Sequence, residues 1–162
     1  MATTLVSPKV AVSATAGLTG GAAPATSSSS PNHAVSWAPT VGTAAGNADK
    51  IYSAAFTVTS GTPLVLDMTS LLDPLGGAVN FAHVLAVIIS NDSVTAGQIF
   101  TVGGGTTPVL GSDQLTVQPN GGVGAVINPN PGYTTASANL LKILVAAGTA
   151  VAGKVTIIGR ST

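Results

Sequence analysis

The stretch Val79-Asn80-Phe81-Ala82-His83-Val84-Leu85-Ala86-Val87-Ile88-Ile89-Ser90 is apolar on both faces. Read with the two-residue period of an extended chain, it places Val79, Phe81, Leu85, Val87 and Ile89 on one face and Val84 and Ile88 on the other. A strand of that kind belongs in the middle of a sheet, covered above and below. The rest of the chain must then supply both covers.

The segments on either side are built to do so. In residues 50–59, Tyr52, Ala54, Phe56 and Val58 alternate with Ser53, Thr57 and Thr59; Leu64, Leu66 and Met68 flank Asp67, and Leu115 and Val117 sit between Gln114, Thr116 and Gln118. This is the alternation of half-buried strands. Further strands are expected at residues 98–102, 123–128, 140–146 and 151–159. Turn-forming clusters separate them, among them Gly61-Thr62-Pro63, Asn91-Asp92, Gly103-Gly104-Gly105, Asn120-Gly121-Gly122 and Pro129-Asn130-Pro131-Gly132. Strands at intervals of about ten residues predict an all-β, antiparallel sandwich, jelly-roll-like, of about eight strands. One short helical turn is expected at residues 69–74, where Ser70 and Asp73 resemble a capping pair before Pro74 and Gly76-Gly77 stop it.

Composition agrees with that architecture. The 162 residues are 45% hydrophobic but only 4% aromatic, and 6% are charged, with no Glu. Surface helices ordinarily carry Glu and Lys pairs, so their absence counts against helix. Five basic residues balance five Asp. That balance leaves no positive footprint for a phosphate backbone and no repulsion against self-association, so we expect protein partners and no nucleic acid. With no cysteine, thiol chemistry and Cys-type zinc sites are excluded.

Residues 1–48 differ from the remainder. Ala, Thr, Ser, Gly and Pro dominate them, including Thr26 to Ser30 before Pro31, and such a segment buries too little to offset its ordering entropy alone. We read 1–48 as an extended N-terminal arm and 49–162 as the sandwich domain. Val35 and Trp37 are the arm residues best suited to dock on a partner or on the chain itself. The small residues of 11–16 imitate a signal cleavage site, but no positive charge precedes an apolar run and Lys9 interrupts one. Residues 140–158 have the length of a membrane span, yet Lys142 and Lys154 are costly there and Gly148 and Gly153 favour a buried hairpin, so no membrane is expected.

Catalytic patterns are incomplete. Gly148, Gly153 and Lys154 approach a phosphate-binding loop, but Val155 replaces the Ser or Thr that would hold magnesium and a strand follows where a helix is needed. His83 and the serines have no nucleophile elbow, and His83 reads as a hydrogen-bonded core or interface residue beside Phe81 and Leu85. Most of Asp49, Asp67, Asp73, Asp92 and Asp113 lie in or beside expected turns, and none have calcium-loop spacing, so turn formation is their default role. Asn91-Asp92-Ser93 is formally a glycosylation sequon and equally a turn. No catalytic residue, metal site or cofactor is expected.

Residues 49–160 resemble small β-sandwich virion structural proteins of tailed phages, of the head-decoration, cement or head-fibre type. The likeness rests on Phe56-Thr57-Val58-Thr59-Ser60-Gly61-Thr62, residues 71–77, Phe81 with Val84 and Ile88, Asn91 to Ser93, Val102-Gly103-Gly104, Pro119-Asn120-Gly121-Gly122 and the closing residues 155–159. The resemblance implies a protein of the virion, assembled in the host cytoplasm, that decorates a lattice of major capsid protein. It implies a homo-oligomer, often a trimer, gripping its neighbours through a terminal arm. The alternative is a receptor- or carbohydrate-binding module of a fibre or adhesin, for which Trp37, Tyr52 and Tyr133 are the available aromatic platforms.

Overall fold

Alternating apolar residues can hide from water only if strands assemble into a sheet and the sheet finds a cover, and the described residues meet both demands with strands and the loops between them. The computed structural model describes residues 9–15, 18–22, 25–29, 32–73, 75–146 and 150–162, and no helix occurs among them. The strands are β1 (Val10–Thr15), β2 (Leu18–Ala22), β3 (Ala25–Ser29), β4 (Asn32–Trp37), β5 (Lys50–Val58), β6 (Leu64–Asp67), β7 (Leu71–Leu72) and β8 (Ala78–Val79). After these come β9 (His83–Asn91), β10 (Phe100–Val102), β11 (Leu115–Val117), β12 (Val123–Ile127), β13 (Tyr133–Thr134), β14 (Leu140–Val145) and β15 (Val151–Arg160).

Two antiparallel sheets form a β-sandwich. One runs β12-β9-β15-β5, with β13 also paired to β9, and the other runs β11-β10-β14-β6. Their inner faces enclose one core that includes Val58, Val87, Ile89, Phe100, Val102, Leu141, Ile143, Val155 and Ile157. A second apolar cluster lies on the outer face of the larger sheet, where Leu85, Ala86 and Ile158 pack with Val10 and Ala48. The Val10–Trp37 end of the β1–β4 ribbon packs on this cluster, and β2 pairs with β3.

β9 is the doubly covered central strand expected of residues 79–90, with two corrections. The strand begins at His83, because Phe81 and Ala82 turn their N–H groups to the carbonyls of Met68 and Arg160, leaving Val79 to β8. The faces also differ from simple alternation. The register against β15 slips between Ile158, opposite Ala86, and Gly159, opposite Val84, so Leu85 is an extra residue. This β-bulge sends Leu85 to the outer cluster with Ile88 and sends Val84 into the inter-sheet core with Val87 and Ile89.

The short helix expected at residues 69–74 is replaced by a hairpin. β7 pairs with β8, and the Asp73 carboxylate accepts the N–H groups of Leu75 and Gly77, so it closes a turn where a helix cap was expected. Pro74 lies outside the described residues. Nor do residues 140–158 form a hairpin: β14 belongs to the smaller sheet and β15 to the larger, so the chain crosses between layers. No helix among the described residues is long and apolar enough to cross a membrane.

Candidate interaction site

Trp37 and Val10 are directly opposite each other in the β1–β4 ladder. Cross-strand partners share a face, and here that face meets the large sheet: Val10 is buried and Trp37 packs beside Ile51, Ile88 and Ile127 on the outer cluster. Val35 stands opposite Val12 in the same ladder, and its side chain lies outside the described residues. Val10 and Trp37 thus cover part of the sheet face to which the bulge delivers Leu85.

At the end of β15, Arg160 gathers three segments. Its Nη1 donates to the carbonyls of Thr43, at 3.1 Å, and Thr162, while Nη2 donates to that of Pro131 at 3.4 Å. Arg160 is 9% exposed, and its Nε lacks a partner. The residue opposite is His83, whose buried Nδ1 is also unpartnered. Burial, and after it the Arg160 charge, holds His83 below the ordinary imidazole value and so favours its neutral form. Asp49 accepts the N–H and hydroxyl of Ser161 at 2.8 and 2.6 Å. The Ser161 hydroxyl donates to this carboxylate, so the cluster ties the C-terminal residues to Asp49 and to the loop at Thr43.

Several other polar side chains are likewise held by hydrogen bonds within the fold. Tyr133 packs on the inter-sheet core and donates its hydroxyl to Asp113 at 2.9 Å. Burial first, then the Asp113 hydrogen bond and charge, pushes its phenol up to about 12. Trp37 and Tyr133 belong to different apolar clusters and form no common platform. Asn91 is fully buried; its amide donates to the carbonyls of Gln98 and Val117, and its oxygen accepts the N–H of Ser93. The sequon at Asn91 is therefore a structural joint, inaccessible in the folded chain. Asp67 binds the N–H and hydroxyl of Thr69 and the amide of Asn139, hydrogen bonds that hold its carboxyl below the usual range. No group of three His or Asp able to hold a metal occurs among the described residues.

The phosphate-loop resemblance also dissolves. Gly153 and Lys154 lie inside β15, flanked by β5 and β9, and Gly148 lies outside the described residues. Gly153 is there for space: a Cβ would stand 2.5 Å from the Ser90 carbonyl oxygen and within 2.9 Å of the Phe56 and Phe100 rings.

Of the sheet edges unpaired among the described residues, those of β5, β12, β6 and β11, the longest is β5. β5 pairs with β15 along one side, and no strand among the described residues pairs with its other side. On the inner face Val155 and Ile157 of β15 are buried, whereas Tyr52, Ala54 and Phe56 of β5 are only half-buried. Outward, Ser53, Ala55 and Thr57 are exposed. Lys50 is the strand's one charge. Around the corner, Pro63, Val65, Gly104, Gly105, Thr106, Leu140 and Lys142 line a shallow groove of about 280 Å³ on the outside of the smaller sheet. Leu72 and Leu75 stand exposed at the β7–β8 hairpin.

Comparison with protein-family models, characterised proteins and solved structures returns no match for the chain. The site is therefore read from its own chemistry. The alternation of Tyr52, Ala54 and Phe56 was visible in the sequence, but their position at an open edge was not, because pairing partners are set by topology.

Proposed function

We propose that this chain is a structural protein of a tailed-phage virion, decorating or cementing a capsid lattice through subunit packing and its N-terminal arm. The observation that carries the reading is the β5 edge: nine residues of extended chain with one charge, unpaired among the described residues, beside core-facing residues left half-exposed. Proteins that function alone usually protect such an edge with charge, proline or a covering loop. The strand order supports the jelly-roll reading, since in β5-β15-β9-β12 over β6-β14-β10-β11 the sandwich strands pass alternately between the two sheets, except at the β10–β11 hairpin. A carbohydrate-binding role fits less well, because Trp37 lies against its own sheet and the Tyr133 hydroxyl is held by Asp113.

The test is cofractionation with particles from the chain's source. The full chain is expected to sediment with capsids and to rebind stripped ones, with lower occupancy after deletion of residues 2–48 or after Trp37→Ala. Recovery only in the particle-free fraction would end this reading.

A further inference from the structure

We propose that β5 joins two copies of this chain, pairing antiparallel with the β5 of a second copy about a two-fold axis at Ala54, so that Tyr52 of each meets Phe56 of the other. This deepens the assembly reading and rests on it for the particle context, while the contact itself is argued from the strand.

A two-fold axis perpendicular to the sheet keeps each core-facing side chain on the core side, so paired residue numbers must have an even sum. β5 spans Lys50–Val58, and the one register that pairs all nine residues is centred on Ala54. That register sets Lys50 opposite Val58, Ile51 opposite Thr57, Tyr52 opposite Phe56 and Ser53 opposite Ala55. The two lysines fall at opposite ends and do not repel. The half-exposed aromatics become cross-strand pairs under a continuous double layer, and small Ala54 occupies the axis where two copies of one side chain must coexist. The outward Ser53, Ala55 and Thr57 contribute no charge or bulk against a second strand. The occupant is therefore a second copy in a two-fold pair. This differs from the three-fold ring that the family resemblance implies.

The register provides its own test. Sedimentation of the full chain is expected to give twice 15.6 kDa. Combining Ser53→Asp with Ala55→Asp places like charges opposite each other twice and should raise the dissociation constant about tenfold or more. Combining Ser53→Lys with Ala55→Asp places opposite charges in both pairs and should restore association. Both variants carry Ala55→Asp, so the neighbouring Lys154 affects them alike. A monomer at every concentration, a mass of three copies, or a doubly acidic variant that associates as tightly as the parent would each overturn the pairing. Particle binding is read separately: a monomer found on capsids sinks the pairing alone, and a dimer never found on particles sinks the virion assignment alone.

Discussion

Phe56 of the larger sheet and Phe100 of the smaller one meet across the sandwich, ring centroids 5.4 Å apart and planes inclined by 51°. They can do so because Gly153, opposite Phe56 on the neighbouring strand, has no side chain. The pair joins the two layers near the open edge, so its integrity bears on both stability and assembly.

Gly153→Ala is expected to lower stability by about 1–3 kcal/mol, since the added methyl meets the Ser90 carbonyl and both rings. Phe100→Ala, which empties a fully buried site, should cost about 3–5 kcal/mol. Denaturant midpoints measure both, and a Gly153→Ala protein as stable as the parent would contradict the crowding described.

Asn91→Ala should cost about 1–3 kcal/mol, because it leaves the carbonyls of Gln98 and Val117 without their donor. The same burial predicts that folded protein incubated with an oligosaccharyltransferase gains no glycan at Asn91. Mass spectrometry decides the point.

The pH dependence has a definite sign. His83 has a folded-state value below the ordinary 6.5, so the unfolded chain takes up its proton first as pH falls. The His83 contribution to stability is therefore fully present above 6.5 and is lost as pH drops below it toward the lowered folded value. In His83→Gln the slope should flatten across that window, as measured by denaturant midpoints from pH 7 to pH 5.

Tyr133 should ionise near pH 12 in an ultraviolet titration. Asp113→Asn removes the charge that opposes the phenolate, so the transition should move toward the ordinary 10. An unmoved transition would assign the whole effect to burial.

Much of this architecture was legible because strand propensity and alternation are local properties. Lys50–Val58, Leu64–Asp67, Leu140–Val145 and Val151–Arg160 fall within a residue or two of their expected limits. The exceptions have physical causes. Asp73 can cap a helix or close a turn with equal chemistry, and the pairing of Leu71 and Leu72 with β8 decided for the turn. Asn91 looked like any turn asparagine until two distant carbonyls closed around its amide.

The residues by themselves determined that this protein would be extended chain folded into layers: scarce charge, no Glu and period-two alternation leave little else. Only the tertiary structure decided which strand would stand at an edge and which face Leu85 would take. Both depend on who pairs with whom. A bulge arises only when β9 and β15 are laid side by side, and an edge exists only relative to the strands that fail to cover it.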